Sequence, residues 1–290
     1  MALPAPAPPQ WRFLAVLDFE ANCAPDAARD PKAHARHGAP PPDFVNEIVE
    51  LPTVLLELST QDGEDGGVAL RPAGEFRSFV RPARFPLQPF CTELCGIAPA
   101  DVAAAPGFPE AFAGWKRFLD ENTTRGAEEG GPPPDAAQEV LVVTCGDWDL
   151  RSMLTKQVKM CRADAEEAGE DAQRDAIFER LRIPRACFRF CNVKKCFEAA
   201  TGAPAGGMAG MLAHLQIPLE GDHHSGIDDC RNIGRVCARL VRDFGAAALC
   251  ATTDITKECE KLNRGLEAGP GGKTGSKKVV KERKAAGEKL

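Results

Sequence analysis

Short apolar runs alternate with amphipathic stretches along the chain, a pattern typical of α/β proteins. Phe13–Leu17 is an apolar run that ends at acidic residues, which predicts a strand buried on both faces. Residues 48–58 and 68–80 are apolar and β-branched, and the turn-like QDGEDGG between them predicts a hairpin. Further buried strands are predicted over residues 140–145 and 187–193.

Apolar residues recur at helical spacing in three later segments. They predict helices over residues 108–119, 148–160 and 225–241. Strands that alternate with helices after an opening hairpin predict a three-layer α/β domain, with a central mixed sheet flanked by helices. In such a domain, catalytic residues gather at strand ends and at adjacent helix starts.

The composition of the chain predicts one catalytic domain, at residues 11–245. Residues 1–10 are expected to be disordered, and the segments near 24–43 and 122–138 are expected to be loop insertions. A helical extension is predicted over 246–270. The Gly- and Lys-rich residues 271–290 are expected to form a basic disordered tail, for which simple solvation, RNA contact and nuclear targeting stay open.

The charge and the cysteine content restrict the class of protein. The N-terminus lacks a basic start with an apolar stretch, and no segment approaches the roughly 20 apolar residues that cross a bilayer, so an intracellular protein of the cytoplasm, nucleus or both is expected. A net charge of -6 argues against coating of nucleic acid by charge alone, but it suits a site whose carboxylates hold cations. The 12 cysteines are expected to be reduced, and their spacing lacks the paired CxxC of a zinc site.

Two acids follow the first predicted strand. Asp18 and Glu20 are two residues apart, so the alternation of a strand points both carboxylates to the same side. Placing two acids together is costly unless cations compensate them. The tripeptide DFE is common in isolation, so a site here requires further partners.

The first partner is CGDWDL at residues 145–150, where a buried strand passes through a glycine into a helix. Asp147, directly before that helix, is expected to cap its free N–H groups. Asp149 lies in the first turn and is a candidate ligand, although the helix dipole alone would also favour a carboxylate there.

The second partner is HHSGIDDCRNI at residues 223–233. With Ser225 as the N-cap, Asp228 becomes the third helical residue of an arrangement resembling a capping box. The same register puts His224 and Asp229 at the two positions where a packed apolar pair usually stabilises a helix start. A histidine and a carboxylate there indicate chemistry rather than stability.

Taken in order, the DFE tripeptide, the WD of Trp148 and Asp149, and H-S-G-I-D-D ending at Asp229 resemble the three motifs of the DEDDh exonucleases. Within that group, ANC, NEIVELPTVLLEL, FVRP, FCTELCGI and GIDDCRNI resemble the histone-mRNA exonuclease or enhanced-RNAi branch, over roughly residues 13–241. The resemblance implies the ribonuclease-H-like fold. One departure is Cys95, which stands where the family usually has Thr and puts any hydroxyl contact to nucleic acid there in doubt.

The resemblance implies 3′-to-5′ hydrolysis of single-stranded RNA ends to nucleoside 5′-monophosphates, with two metal ions about 4 Å apart. Oxygen ligands favour Mg²⁺, for which Mn²⁺ can substitute. His224 is expected to act as the base, together with Glu20 as a catalytic residue. The expected metal ligands are Asp18, Glu20, Asp149 and Asp229, and the expected substrate contacts are Phe19, Phe90 and Trp148.

Three alternatives remain open from the sequence. A DEDDh DNA exonuclease would have the same site, and a catalytically silent RNA-binding protein would have the same fold. The cysteines could instead serve a redox or zinc-binding role. Phe90 and Trp148 could also be core residues. RNA is the expected partner, with RNA-binding proteins as possible further partners, whereas the sequence does not define the physiological RNA or the oligomeric state.

Overall fold

The computed structural model describes residues 11–60, 68–124, 139–169 and 171–267. Seven strands within these residues join in one mixed sheet. Their bounds are β1 Phe13–Leu17, β2 Glu20–Asn22, β3 Glu47–Thr60, β4 Val68–Phe79, β5 Val140–Thr144, β6 Arg189–Asn192 and β7 Thr253–Asp254.

The long strand β3 organises one half of the sheet. It pairs antiparallel with β4 on one edge and with β1 and β2 on the other. Beyond β1, β5 and β6 are added in parallel and β7 closes the sheet antiparallel to β6. The predicted hairpin and the predicted mixed sheet are confirmed, and the turn at residues 61–67 lies outside the described ranges.

Ten α-helices surround the sheet within the described ranges. Their bounds are α1 Pro31–His37, α2 Pro89–Cys95, α3 Pro99–Ala103, α4 Phe108–Thr123, α5 Thr155–Ala168, α6 Asp171–Leu181, α7 Val193–Thr201, α8 Gly207–His214, α9 Gly226–Phe244 and α10 Thr256–Glu267. A π-helical turn, Trp148–Leu154, precedes α5, and short 3₁₀ turns occupy Arg185–Cys187 and Ala246–Ala248. No helix in these ranges combines the length and the apolar character that crossing a bilayer requires.

Strand β1 is buried on both faces and separates two apolar cores. Phe13 and Leu17 point into a core formed with α4, α5 and α10. Leu14 and Val16 point into a second core formed with α7, α8 and α9. The period-two alternation of a strand produces this division, and the three-layer α/β fold predicted from the sequence is confirmed.

Two segments differ from the sequence prediction. The segment near 24–43 contains helix α1, whose start is stabilised by Asp30: its carboxylate accepts a hydrogen bond from the Ala33 N–H at 2.9 Å. Pro31 occupies the first turn, where its missing N–H costs nothing. The single helix predicted over 148–160 is divided into the π-helical turn and α5.

The segment that follows α9 belongs to the core. Helix α10 lies within the predicted extension at 246–270, and Cys259, Leu262 and Leu266 of this helix are buried against the first core. The predicted disordered N-terminus at 1–10, most of the insertion at 122–138, and the predicted basic tail at 271–290 lie outside the described residues.

Candidate active site

The first two candidate ligands stand where β1 gives way to β2. Both β1 and β2 pair with β3, and Asp18 and Phe19 form the junction between these two strands. Glu20 opens β2 directly opposite Glu50 of β3. Burial raises the pKa of Glu20 to about 10, and the negative charge of Asp18 adds to this shift.

Asp149 belongs to the π-helical turn, and its side chain contacts this junction. Its side chain is buried, and its Oδ1 accepts a hydrogen bond from the Phe19 N–H at 3.0 Å. That N–H lies between Asp18 and Glu20, so the bond joins the second motif to the first. Burial raises the pKa of Asp149 to about 6. Single π-helical turns are frequent at functional sites, because they reorient side chains that a regular helix would not align.

A glycine allows α9 to reach the same junction. A Cβ added to Gly226 would lie 3.0 Å from the Asp18 carbonyl oxygen and 3.3 Å from the Glu20 Cγ. The first turn of α9 therefore contacts the end of β1 without an intervening side chain. Asp229, three residues further along this helix, is buried as a consequence.

His224 is held beside Asp229 in a strained backbone conformation. Its φ is 69°, which is uncommon for a residue other than glycine. Its backbone N–H donates to the Asp229 Oδ2 at 3.0 Å, and the rings of His223 and His224 stack with centroids 4.1 Å apart. His224 and Asp229, which the sequence placed at the two positions of the usual apolar pair, thus contact each other at the start of α9. Burial lowers the pKa of His224, which keeps its imidazole neutral and able to accept a proton.

The four carboxylates share one electrostatic environment. Burial, followed by the charges of Asp149 and Asp229, holds the pKa of Asp18 well above its usual range. Burial also raises the pKa of Asp229 to about 6. The four groups therefore cannot all ionise at neutral pH without added positive charge.

The donor chemistry at this junction suits a divalent cation. The Oδ1 of Asp229 is buried and has no hydrogen-bond partner. The carboxylate oxygens are hard ligands of the kind that Mg²⁺ and Mn²⁺ prefer, and a bound cation would restore the ionised state that burial opposes. Donor atoms of His223, His224 and Asp229 also lie within 4.8 Å of one another. The residues present therefore fit a metal centre.

The predicted capping role of Asp147 is wrong. Asp147 precedes the π-helical turn, but its side chain makes no capping bond. Its carboxylate instead accepts hydrogen bonds from the Asn192 Nδ2 at 2.8 Å, the Thr253 Oγ1 at 2.8 Å and the Lys195 Nζ at 3.2 Å. These stronger partners, one of them charged, tie β5 to the neighbouring strands β6 and β7 and compete successfully with the helix N–H groups.

The register predicted for α9 is confirmed, although the capping box is not formed. Ser225 is the N-cap residue and makes no side-chain bond to the helix backbone. Asp228 accepts from the Asp222 N–H at 3.2 Å and from the Arg231 guanidinium at 2.8 Å. Asp228 thus fixes the preceding loop from the outer face of the helix, whereas Asp229 points inward.

The three aromatic candidates are in different environments. Phe19 is buried in the first core, so only its backbone N–H reaches the site. Phe90, on α2, is half-buried and meets the His37 ring edge-on at 5.7 Å. Trp148 begins the π-helical turn next to Asp149 and is 45% exposed. Of these three candidates, Trp148 is therefore the side chain most available to a base.

Glu50 is a further acid that the sequence analysis missed. It lies fully buried on β3, its Oε1 accepts from the Arg77 Nε at 2.7 Å, and its Oε2 has no partner. Its charge contributes to raising the pKa values of Asp18 and Glu20. Burying an acid between two apolar residues of a predicted strand costs free energy, so the position of Glu50 in the sequence could have indicated a functional role.

Lys194 supplies positive charge beside the carboxylates. It occupies the first turn of α7, and its Nζ would lie 3.4 Å from a Cβ placed on Gly146. Its charge lowers the pKa values of Asp18 and Asp149, after burial has raised both. Because a cation at a helix N-terminus opposes the helix dipole, its position there was a signal that the sequence analysis did not use.

Replacing Trp148 by alanine is expected to raise the KM for RNA while sparing kcat and melting temperature. Stacking of one base on an aromatic ring is worth roughly 1–3 kcal/mol, and the exposed ring contributes little to the core. Steady-state kinetics with a short RNA would measure the effect. Phe244→Ala, which removes a similarly exposed ring at the opposite end of α9, is the control and should change neither parameter. An unchanged KM for Trp148→Ala would exclude stacking.

Comparison with known proteins identifies the family of the chain. The model of the exonuclease family RNase_T matches residues 16–237. The chain is 31% identical over 245 residues to mouse ERI1 exoribonuclease 3, covering 83% of this chain and 57% of that protein. It is 26% identical over 236 residues to human 3'-5' exoribonuclease 1, covering 80% and 53%. The chain thus spans little more than half the length of these relatives.

A solved structure supports the same fold. The nuclease domain of 3'hExo, described as a DEDDh family member bound to rAMP, aligns with a TM-score of 0.60 at 23% identity. The alignment covers 84% of this chain and 98% of that domain. The family match over residues 16–237 shows that the chain belongs to the RNase_T exonuclease family, and the order of its three motifs and its similarity to ERI1 exoribonuclease 3 place it among the DEDDh members of the ERI1 branch.

Proposed function

We propose that this chain is a metal-dependent 3′-to-5′ exoribonuclease that releases nucleoside 5′-monophosphates from single-stranded RNA ends. The observation that carries the proposal is the meeting of Asp18, Asp149 and Asp229 at one strand junction. Glu20 and His224 complete this arrangement. The family implies dependence on a divalent metal, and the relatives' names favour RNA over DNA.

In this proposal the carboxylates hold the metal and position the substrate phosphate. Asp18, Glu20, Asp149 and Asp229 would be the ligands. Two divalent cations, Mg²⁺ by preference with Mn²⁺ able to substitute, would neutralise charge on the phosphate and promote deprotonation of water. The buried Oδ1 of Asp229, which has no protein partner, supports its assignment as a ligand.

His224 is the proposed base. Burial and the charge of the nearby His223 lower its pKa, which favours the neutral imidazole that can accept a proton. The bond from its backbone N–H to Asp229 keeps the side chain beside the carboxylates, where a water attacking the phosphate would lie. A proton passing from that water to the imidazole would leave a nucleophile in place. Trp148, exposed at the edge of the site, would stack on the terminal base.

A substrate comparison tests the proposal. The purified chain is incubated with 5′-labelled single strands of RNA and DNA of the same sequence, with Mg²⁺, with Mn²⁺ or with EDTA. We expect a ladder of RNA shortened from the 3′ end, nucleoside 5′-monophosphates as product, and no reaction in EDTA. Preferential shortening of DNA would favour a DNA exonuclease, and binding of RNA without shortening would favour a silent RNA-binding protein. Mass measurement of complexes would test for RNA-binding protein partners and for the oligomeric state.

A further inference from the structure

Three thiols gather beside the strand that carries Glu20. All twelve cysteines are free. Cys91 and Cys95 lie on α2 with their sulfurs 3.6 Å apart, and Cys23 follows β2 and packs against the same small apolar cluster. The Cys91 thiol also lies 3.3 Å from the carbonyl oxygen of Ala21, two residues before Cys23. We call Cys23, Cys91 and Cys95 the thiol cluster.

The members of the thiol cluster differ in access to solvent. Cys91 is 1% exposed and Cys95 is 9% exposed, whereas Cys23 is partly exposed. Interaction with the Cys91 thiol lowers the pKa of both neighbours, that of Cys95 to about 7, but of these two only Cys23 is partly exposed. An accessible thiol that favours its thiolate and lies next to a second thiol is the arrangement found at redox-sensing cysteines.

We propose that the thiol cluster is an oxidation site at which a peroxide converts Cys23 and Cys91 into a disulfide that restrains the nuclease. The regulatory part rests on the proposed nuclease function, whereas the oxidation site does not. Transient disulfides of this kind are the form in which redox control usually appears in intracellular proteins.

The chemistry needs one equivalent of hydroperoxide. The Cys23 thiolate attacks one peroxide oxygen, the O–O bond breaks, hydroxide leaves, and Cys23 becomes a sulfenic acid. The Cys91 sulfur then attacks the Cys23 sulfur, the S–O bond breaks, and the hydroxyl leaves as water with the thiol proton of Cys91. Two thiols and one hydrogen peroxide thus yield one disulfide and two waters, so both electrons removed from sulfur reduce the peroxide.

The disulfide would act on Glu20 through the backbone of β2. The Cys91 thiol lies 3.3 Å from the carbonyl oxygen of Ala21, the residue after Glu20, and is placed to donate to it. On the other side, the Asn22 Oδ1 accepts from the Gln88 N–H at 2.8 Å, and Gln88 is the N-cap residue of α2. A disulfide removes the thiol proton and therefore the hydrogen bond from Cys91 to the Ala21 carbonyl. The strand that presents Glu20 would therefore shift.

The experiment combines peptide mapping with activity. The full chain is reduced, desalted, exposed to hydrogen peroxide and alkylated, and the disulfide-linked peptides are identified by mass spectrometry. We expect a Cys23–Cys91 linkage together with a fall in RNA turnover of about 100-fold, the cost of roughly 1 Å of misplacement at a catalytic group. Dithiothreitol should restore both the thiols and the turnover.

Matched variants separate this site from other thiols. Cys23→Ser should keep the basal turnover and resist peroxide. Cys95→Thr, which introduces the residue usual in the family, should stay sensitive. So should Cys250→Ser, which removes the exposed cysteine. Sensitivity that persists in Cys23→Ser, or a linkage that joins Cys91 to Cys95 instead, would overturn the proposal.

A second readout keeps the two proposals distinguishable. If the reduced chain never shortens RNA, the proposed function fails, but peptide mapping still decides whether Cys23 and Cys91 become linked. The rise in melting temperature caused by Mg²⁺ would then report on Glu20, and it should shrink after oxidation. A linkage that forms while turnover and the Mg²⁺ response are unchanged would overturn the regulatory role.

Discussion

Asp18→Asn is expected to reduce hydrolysis by roughly 10³-fold or more while raising the melting temperature of the metal-free protein. Asp18 stands among Asp149, Asp229 and Glu50, whose charges raise its pKa in addition to the larger effect of burial. Asparagine preserves the shape and removes one charge from this group. The folded state is thereby relieved of repulsion, but a ligand for the metal is lost.

The stability gain should depend on pH in a definite direction. Because the pKa of Asp18 is higher in the folded protein than the value of about 3.9 in an unfolded chain, the folded state binds the extra proton. This contribution stabilises the wild type fully at low pH and is lost as pH rises through the folded-state pKa. The advantage of Asp18→Asn should therefore be present at neutral and higher pH and should disappear on acidification.

Thermal denaturation from acidic to neutral pH, with EDTA and with Mg²⁺, would measure these effects. Mg²⁺ should raise the melting temperature of the wild type and have less effect on Asp18→Asn, because one ligand is missing. Asp26→Asn is the control, since this acid is exposed and its pKa is lowered by backbone hydrogen bonds. Near-normal turnover of Asp18→Asn at millimolar Mg²⁺ would refute the assignment of this residue as a ligand.

The parts of the site that the sequence predicted depend on short-range geometry. Two acids at a strand end must share a side, and the register of α9 separates Asp229 from Asp228 within one turn. The order of strands and helices likewise predicted the layers. Local periodicity is sufficient for these features, because each depends on residues only a few positions apart.

The remaining features depend on contacts between distant elements. Asp147 caps nothing because Asn192, Lys195 and Thr253 offer stronger partners from β6, α7 and β7. No periodicity in the sequence places those residues beside it. The sequence also predicted a regular helix where the π-helical turn carries Asp149, because the apolar residues of this turn recur at helical spacing. Tertiary contacts outweighed the local preferences at both positions.

Helix α1 shows a different limit of the sequence analysis. The segment near 24–43 is rich in Ala, Pro, Arg and Asp and has no apolar periodicity, so it was predicted as a loop. Its Asp-Pro start nevertheless carries the local signal of a helix N-terminus, which the absence of an apolar face obscured. Only Ala33 of this short helix is buried, and capping therefore accounts for more of it than packing does.

His224→Ala and Asp229→Asn should each lower turnover by several orders of magnitude with little change in melting temperature. The two residues are joined by the bond from the His224 N–H to the Asp229 carboxylate, and His224 adopts its strained φ in that arrangement. In the wild type, turnover should fall on acidification as the imidazole becomes protonated. Since burial lowers the pKa of His224, this fall should lie below pH 6.5, and His224→Ala should lack it.

The adjacent residues are the matched controls, because each differs from its partner by one position. Asp228→Asn should lose about 1 kcal/mol of stability and keep much of its activity, since Asp228 holds the Asp222 N–H and Arg231 on the outer face of α9. His223→Ala should be mild in both respects, because this exposed ring stacks on His224 and is not one of the proposed metal ligands. Urea denaturation and RNA turnover of the four variants would decide the matter. Loss of activity in Asp228→Asn and His223→Ala, with activity retained in the other two, would move the metal ligand and the base by one residue and leave the inward-pointing Asp229 without a catalytic role.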